Sequence, residues 1–318
     1  MKNIDDKNTY YKTPSKIAKP LRKFHNFIKT VMINNYCNNL DVLDLGFGRG
    51  GDIKKYVEAN VTICVGVDID YNGLFTINDS ASKRLKKFKN IKTNFVLIHG
   101  DASKKLYLND QKNSNEDNSK KIKNYFGEKD KNKHYEFDII NMQFMIHYLF
   151  ENENSFLNVC YNVSEYLKKN GYLLITTMDG DKVFDLLENN NGEYSCNYTD
   201  DFGNNVELFK IVKQYNKKTD FGCAIGVYIS IFMNDDNLYT EYLVFPNVLI
   251  ENLAKKCNAY LIESNSFKNV YDQYEYFFIN ENTNLFNDIK NLYQNKNSAN
   301  VCCLKFTELF KYYVFQKK

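Results

Sequence analysis

The chain has 318 residues, 43% of them hydrophobic, with 24 Phe and 25 Tyr, which is enough apolar material for one large α/β domain or two small ones. Its 42 Lys and Arg exceed its 39 Asp and Glu by three, so the composition excludes a strongly basic coat, and any polyanion must bind a local patch. The eight cysteines include no CxxC pair and no metal-ligand spacing, and the adjacent Cys302 and Cys303 suit a disulfide framework poorly; we expect no metal site and a reducing compartment.

The first residues, MKNIDDKNTYYK, are polar and lack the apolar core of a secretory signal, and no run of about eighteen apolar residues follows. We expect a soluble, intracellular protein with no membrane partner. Residues 1–19 are interpreted as a flexible lead-in, and residues 20–318 as a single domain.

The first predicted helix is LRKFHNFIKTVMINNY, in which apolar residues recur at helical spacing. Short β-rich runs then alternate with helical runs, which predicts an α/β fold with a doubly wound, mostly parallel sheet. The predicted strands are DVLDLG, TICVGVDI, FVLIHGD, FDIINMQF and GYLLITTM, and the helices between them are GDIKKYVEA, YNGLFTINDSASKRLKKF and NSFLNVCYNVSEYLKK. Further strands are predicted at VELFKIV, CAIGVYISIFM, LYTEYLVF and FKYYVF, with a helix at VLIENLAKKC.

Residues 109–133 interrupt this alternation with NDQKNSNEDNSKKIKNYFGEKDKNK, which is rich in Asn, Lys, Asp and Ser and nearly free of apolar residues. Such a composition buries too little to order itself. We predict a disordered surface insertion.

The stretch VLDLGFGRGGD, residues 42–52, is a strand that breaks into glycines before a helix. Glycine at Gly46 and Gly48 lets a ligand lie against the backbone, although tight packing alone also requires glycine in such turns. Asp44 and Asp52 flank the loop and disfavour a pyrophosphate, so a ligand that carries a cationic group is favoured.

Two more acids follow the next two predicted strands. Asp68, in GVDID, can accept from both ribose hydroxyls, and Asp101, in HGDAS, can accept from an adenine amino group. Each acid alone could be a helix cap or a turn former. Acids at three consecutive strand ends suit S-adenosylmethionine, whose sulfonium and ammonium groups are cations.

The segments VLDLGFGRGGDIKKY, QFMIHYLF and EYLVFPNVLIENLAKK, with LRKFHNFIK ahead of them, closely resemble the mRNA cap guanine-N7 methyltransferases of eukaryotes and large DNA viruses. The resemblance covers residues 20–318 in the same order. It implies a Rossmann-like class I methyltransferase fold, with strands and a helix inserted for the cap. It also implies methyl transfer from S-adenosylmethionine to N7 of the terminal guanosine of capped RNA, leaving S-adenosylhomocysteine.

Residue by residue, the resemblance implies two sets of contacts. The expected donor contacts are Lys29, Gly46, Gly48, Asp52, Asp68, Asp101, Gln143 and Tyr148. The expected cap or RNA contacts are His25, Asn26, Arg49, Lys55, Phe144, His147, Glu241 and Phe310.

Side-chain chemistry agrees with several of these assignments. Glu241 can accept hydrogen bonds from guanine N1–H and the exocyclic amine, although it could also be an exposed strand acid. Phe144, His147 and Tyr148 offer flat surfaces for a purine, although Phe144 and Tyr148 would equally suit a core.

The reaction itself needs no general base, because guanine N7 carries a lone pair and no proton. We therefore assign no acid or base and expect an in-line displacement, with His147, Tyr148 and Glu241 in positioning roles.

The sequence departs from the family at a few positions. Phe47 and Arg49 stand where most relatives have cysteine and lysine, and Met178 stands where many cellular members have proline. Phe310 fits the position of a tyrosine that lies over the guanine, with Tyr312 as a rival.

Two other functions stay open: a methyltransferase for a different substrate, and a non-catalytic subunit of a capping complex. Expected partners are the capped RNA 5′ end and either the capping guanylyltransferase and triphosphatase or the RNA polymerase machinery. The expected compartment is the nucleus, or the cytoplasm for a viral protein.

Overall fold

The computed structural model describes residues 19–111, 114–129, 134–229, 238–281 and 283–318. The strands are β1 Val42–Leu45, β2 Ile63–Asp68, β3 Asn94–His99, β4 Phe137–Gln143, β5 Leu167–Met178, β6 Glu193–Thr199, β7 Asn205–Lys213, β8 Ala224–Ile229, β9 Tyr239–Tyr242, β10 Ala259–Ser266 and β11 Phe310–Lys317. The helices are α1 Lys19–Tyr36, α2 Ile53–Glu58, α3 Ala81–Leu85, α4 Glu116–Phe126, α5 Ile146–Leu149, α6 Glu153–Tyr166, α7 Gly180–Glu188, α8 Pro246–Cys257, α9 Phe267–Asn280, α10 Asn284–Gln294 and α11 Ser298–Thr307.

Within the described residues, seven strands form one sheet in the order β10-β11-β5-β4-β1-β2-β3. Strand β1 pairs in parallel with both β2 and β4, and β2 pairs in parallel with β3. All four residues of β1 are buried, as expected for a central strand with both faces covered. This arrangement confirms the predicted doubly wound sheet, and it brings the ends of β1, β2 and β3 to the same edge.

A second sheet has the order β6-β7-β8-β9 within the described residues, and its strands pair antiparallel. Strands β7, β8 and β9 were predicted, and β6 was not. The predicted strand CAIGVYISIFM is observed as β8 up to Ile229, and its remainder lies outside the described residues.

The chain divides into two compact units. The parallel-sheet unit comprises Lys29–Thr177, Pro246–Ser264 and Tyr312–Lys318, and the antiparallel-sheet unit comprises Met1–Ile28, Met178–Phe245 and Asn265–Lys311. In the antiparallel-sheet unit, Phe24 lies edge-on to Phe267 and Phe278, so aromatic rings fill much of its core.

Part of the predicted insertion 109–133 is ordered, which corrects the sequence interpretation. Helix α4 begins after Asn115, whose side chain accepts from the Asn118 backbone N–H, and it ends at Gly127, which has a φ of 75°. Ile122 and Phe126 lie one turn apart and are buried, so these two side chains supply the apolar contact of an otherwise polar segment. Residues 112–113 and 130–133 lie outside the described residues.

The segment 71–88 was predicted as one helix and is interrupted. A π-helical turn spans Asn72–Thr76, and α3 begins only at Ala81. Ile77 between them has an extended backbone, with φ −65° and ψ 161°, which ends the first turn.

The cysteines also differ from expectation. Cys196 in β6 and Cys302 in α11 form a disulfide, with Cα atoms 5.5 Å apart, whereas Cys303 is a free, buried thiol. None of the helices in the described parts of the chain combines the length and apolar character needed to span a bilayer.

Candidate active site

The glycine loop between β1 and α2 is closely packed at one glycine and open to solvent at another. Gly46, Gly48 and Gly50 have φ values of 85°, 56° and 72°, which other residues rarely adopt. A Cβ on Gly46 would lie 2.8 Å from Cβ of Met145, whereas a Cβ on Gly48 would meet nothing within 4 Å. Gly46 is therefore required by packing, and Gly48 lies where a ligand can approach the backbone.

Asp68, at the end of β2, fixes this loop. Its carboxylate accepts from the Gly48 backbone N–H at 2.6 Å and from the Asp70 backbone N–H at 2.7 Å. Burial raises the pKa of Asp68, and these two hydrogen bonds oppose that rise. The predicted ribose contact thus also holds the glycine loop against β2.

A three-charge cluster stands at the start of α2. Asp52 lies 2.8 Å from Lys29 and 2.7 Å from Lys55, measured between oxygen and nitrogen. Burial by itself would raise the pKa of Asp52, but the two ammonium groups overcome it and lower the pKa to about 2. The cluster carries a net charge of +1. Lys29 Nζ also lies 6.0 Å from the centroid of the Phe144 ring.

Asp44 does not face the loop as the sequence suggested. It is buried, and the Tyr56 hydroxyl donates to it at 2.6 Å. Burial, together with the negative charge of Asp52, raises the pKa of Asp44 to about 7 despite that hydrogen bond. Asp44 therefore does not favour a cationic ligand at the glycine loop.

A buried hydrogen-bond chain leads from Tyr56 to Gln143. Asn141 Nδ2 donates to the Tyr56 hydroxyl at 2.7 Å, and Gln143 Nε2 donates to Asn141 Oδ1 at 2.7 Å. The Thr176 hydroxyl then donates to Gln143 Oε1 at 3.0 Å. Gln143 is held in one orientation at the end of β4.

Phe144 follows Gln143 with a φ of 54°, a strained value for an aromatic residue. Its backbone N–H donates to the carbonyl and to the hydroxyl oxygen of Thr176, at 3.1 and 3.0 Å. The His147 and Tyr148 rings of α5 lie 4.1 Å apart between centroids; His147 is buried, and the Tyr148 side chain is 46% exposed. The alternative that Tyr148 belongs to a core is therefore wrong, and its predicted donor contact stays a prediction.

Asp101 follows β3 and is fixed at both its side chain and its backbone. Its carboxylate accepts from the Ser103 backbone N–H at 3.0 Å and from the Ser103 hydroxyl at 2.6 Å. Its backbone N–H donates to Gln111 Oε1 at 2.7 Å, and Gln111 Nε2 donates back to the Asp101 carbonyl at 3.1 Å.

Arg49 and Lys55, both predicted to contact the cap or RNA, have carboxylate partners. Arg49 forms an ion pair with Asp79 at 3.1 Å, and Arg84 approaches the same carboxylate at 3.2 Å. Lys55 is buried beside Asp52. A cap or RNA contact by either side chain stays a prediction.

The other predicted cap residues lie in the antiparallel-sheet unit. Glu241 in β9 is 8% exposed and stands opposite Ile225 of β8, so it is no exposed strand acid. The His25 and Phe310 rings are 5.0 Å apart between centroids, and Phe310 also stacks on Phe267 at 5.7 Å. Asn26 is exposed, and its side chain donates to the carbonyl of Arg22.

Tyr312, the rival of Phe310, lies in the parallel-sheet unit. Its hydroxyl donates to Glu263, as does the hydroxyl of Tyr36. Phe310 is buried as well.

The sequence interpretation missed the residues that hold this site together: Tyr56, Gln111, Asn118, Met145 and Thr176. Tyr56 follows Asp52 by one helical turn, and Met145 follows the predicted Phe144, so proximity in sequence could have indicated these two. Gln111, Asn118 and Thr176 carry no local signal, because their partners lie in other elements.

The sequence matches the model of the mRNA (guanine-N(7))-methyltransferase domain over residues 3–317. It is 37% identical over 315 residues to the probable mRNA-capping enzyme of Acanthamoeba polyphaga mimivirus, covering 96% of this chain and 26% of that protein. It is 27% identical over 265 residues to the mRNA cap guanine-N(7) methyltransferase of Saccharomyces cerevisiae, covering 80% of this chain and 53% of the yeast protein. The chain thus spans between about a quarter and about half of the length of these relatives.

Among solved structures, the CcbJ methyltransferase from Streptomyces caelestis is similar in fold. Its TM-score is 0.53 with 11% identity, over 98% of this chain and 95% of that one. The chain has the Rossmann-like fold of the methyltransferases.

Proposed function

Because the chain belongs to the mRNA (guanine-N(7))-methyltransferase family, we propose that it transfers a methyl group from S-adenosylmethionine to N7 of the terminal guanosine of capped mRNA. One observation carries the proposal at the site. The Gly48 backbone is open to a ligand, and its N–H donates to the Asp68 carboxylate. The backbone surface that a methyl donor can approach therefore adjoins the carboxylate suited to the donor's ribose.

The residues of the parallel-sheet unit fit the methyl donor part by part. Lys29, in a cluster of net charge +1, would hold the donor carboxylate, Asp68 the ribose hydroxyls and Asp101 the adenine amino group. When bound, the donor supplies an electrophilic methyl group on its sulfonium. Hydrogen bonds with Asn141 and Thr176 fix the Gln143 amide, which would contact the bound donor.

Catalysis would consist of positioning, because guanine N7 has no proton to remove. His147 and the exposed ring of Tyr148 would flank the guanine, and Glu241 would accept from its N1–H and exocyclic amine. Holding N7 in line with the methyl group removes much of the entropic barrier. The carboxylate of Glu241 would also stabilise positive charge as it develops on the guanine.

We place this domain among further capping activities, because its relatives are longer proteins and include capping enzymes of two kinds of virus. A capping guanylyltransferase and a triphosphatase are the proposed partners. Of the two expected compartments, the similarity to viral proteins favours the cytoplasm.

The function is tested by incubating the protein with labelled donor and either GpppA-capped RNA or the same RNA with a triphosphate end. We expect label only on the capped RNA, and on N7 after digestion to nucleosides. Donor binding without transfer to capped RNA would contradict the proposal and favour another substrate. Absence of donor binding would favour a non-catalytic subunit.

A further inference from the structure

A cavity of about 290 Å³ lies beside the glycine loop, and none of the predicted donor contacts lines it. Gly50, Gly51 and three basic side chains line it, together with the ring of Phe88. The basic side chains are Lys54, Arg84 and Lys87. A Cβ on Gly51 would meet nothing within 4 Å, so the exposed backbone there is open to a ligand. We call this surface the basic pocket.

The positive charge around the basic pocket is concentrated and weakly compensated. Six of the ten residues 83–92 are Lys or Arg and none is acidic, in a chain whose whole net charge is +3. Arg84 shares Asp79 with Arg49, and Lys54 lies 3.4 Å from Glu58 in a pair that is well exposed and therefore weak. Lys87 is exposed, with no ion pair among the described residues.

Cations grouped around a half-buried aromatic ring suit single-stranded nucleic acid, whose phosphates pair with the lysines and whose bases stack on the ring. An acidic protein surface would use the charge but not Phe88. We propose that the basic pocket binds the phosphodiester chain of the RNA beyond the cap. This inference rests on the proposed function, and it predicts that longer capped RNA binds better than a capped dinucleotide.

The test compares the wild-type protein with the double variant Lys54→Gln, Lys87→Gln. We measure binding and methylation of a GpppA dinucleotide and of capped RNA of about twenty nucleotides, at several salt concentrations. The variant should bind the long RNA about tenfold more weakly, with a salt dependence reduced by about 1.4 in slope, because two phosphate contacts are lost. Methylation of the dinucleotide should stay unchanged.

The matched control is Lys255→Gln, Lys256→Gln on α8, which removes the same charge from the same unit. Its affinity for long RNA should equal that of wild type. Equal affinity of wild type for both RNA lengths would overturn the inference, as would full affinity of the basic-pocket variant for long RNA. Full affinity of that variant for long RNA would favour an acidic protein surface as the ligand of the basic pocket. Failure of wild type to methylate GpppA would instead contradict the proposed function.

A second inference comes from β3, the outermost strand on one side of the parallel sheet. Among the described residues, the outer backbone groups at its carboxyl end bond to side chains. The His99 backbone N–H donates to Asn118 Oδ1 at 2.8 Å, and Asn118 Nδ2 donates to the His99 carbonyl at 2.9 Å. Gln111 makes the same pair of bonds with Asp101, two residues further along.

These two amide clamps act at alternate residues, as a neighbouring strand would. Gln111 and Asn118 are buried, and Gln111 also donates to the carbonyl of Lys105 at 2.8 Å. The backbone from His99 to Asp101 is thereby held in one conformation. We infer that Gln111 and Asn118 are positioning residues, which set Asp101 for recognition of the donor's adenine amino group.

The test is adenine discrimination, a property that a loss of stability alone would leave unchanged. We measure the dissociation constants of S-adenosylhomocysteine and of S-inosylhomocysteine, in which a carbonyl replaces the amino group. Gln111→Leu should weaken the adenosine compound about tenfold, which corresponds to about one hydrogen bond, and change the inosine compound little.

Asn124→Leu is the matched control, because Asn124 is exposed on the same helix as Asn118. It should keep the wild-type ratio of the two dissociation constants. An unchanged ratio in both Gln111→Leu and Asn118→Leu would overturn this inference, whatever their stability. Lack of S-adenosylhomocysteine binding by wild type would instead remove the donor site itself.

Discussion

Asp68 combines two tasks in one carboxylate. It anchors Gly48 and Asp70 through their backbone N–H groups, and it adjoins the open face of the glycine loop. Loss of the carboxylate would therefore release the loop and remove the proposed ribose contact together.

We predict that Asp68→Ala lowers the affinity for S-adenosylhomocysteine at least about a hundredfold, because two charge-assisted contacts are worth about 3 kcal/mol or more. Isothermal titration calorimetry measures this affinity. Asp70→Ala is the control, since its backbone N–H is retained. Undiminished affinity in folded Asp68→Ala protein would refute the assignment.

Glu241 separates cap recognition from donor binding. Glu241→Gln keeps the shape of the side chain, but it places an amide N–H against an N–H group of the guanine. Because the position is buried, water cannot satisfy either group. We predict a loss of about 2–4 kcal/mol of transition-state stabilisation, or roughly thirtyfold to a thousandfold in kcat/KM with capped RNA. Donor affinity should stay near that of wild type.

Both quantities are measured on one preparation. Normal methylation of capped RNA by Glu241→Gln would remove Glu241 from the guanine site. A parallel fall of donor affinity and activity would do the same.

At the scale of elements, α4 changes the interpretation of the insertion. If residues 109–133 were a disordered insertion, a Gly/Ser linker could replace them at little cost in turnover. The structure predicts the opposite outcome for α4 itself, because Asn118 clamps His99 and the Tyr166 hydroxyl donates to the Phe126 carbonyl.

We predict that replacing residues 114–129 with a Gly/Ser linker weakens S-adenosylhomocysteine binding about tenfold or more, since the clamp at β3 is lost. The control replaces only exposed α4 residues, through Lys120→Ser and Asn124→Ser. Unchanged affinity after replacement of the whole segment would show that α4 does not support the donor site.

The difference between β1 and α4 shows what the sequence could predict about elements. The run VLDL is apolar throughout and ends in glycines, so its strand was predicted from local composition. Helix α4 buries only a few side chains, among them Ile122 and Phe126, and its Asn115 cap and Gly127 stop were masked by a composition typical of disorder.

At the scale of the whole molecule, the buried Asp44 makes stability depend on pH. Its pKa is about 7 in the folded protein, against about 3.9 for an unfolded aspartate. Between these values the folded state binds a proton that the unfolded chain has released, so the free energy of unfolding falls as pH rises. The contribution is complete below about pH 4 and is lost through pH 7.

We predict that the free energy of unfolding falls between about pH 5 and pH 8 by on the order of 3 kcal/mol more in wild type than in Asp44→Asn. Urea unfolding measures this free energy at each pH. Asparagine keeps an oxygen that can accept from Tyr56 but does not titrate. Asp110→Asn, at an exposed position, is the control and should behave as wild type. Parallel pH profiles for wild type and Asp44→Asn would contradict the assignment.

The candidate site was predicted only in part for a related reason. Asp68 and Asp101 could be placed because parallel strands end at one edge, which is a rule of topology. The pairing of Lys29 with Asp52 and of Gln111 with Asp101 depends on side chains from different elements, and no periodicity in the sequence encodes it.

The side-chain closure of β3 also bears on self-association. An open strand edge is a template for pairing with another chain, and it is a common origin of aggregation. At the carboxyl end of β3, Asn118 and Gln111 bond to the outer backbone groups of His99 and Asp101, so a foreign strand could not pair at these two residues. The opposite edge strand, β10, instead exposes Tyr260 and Ile262. The two amides thus shorten the border of the sheet on which a second molecule could pair, and the same atoms hold Asp101.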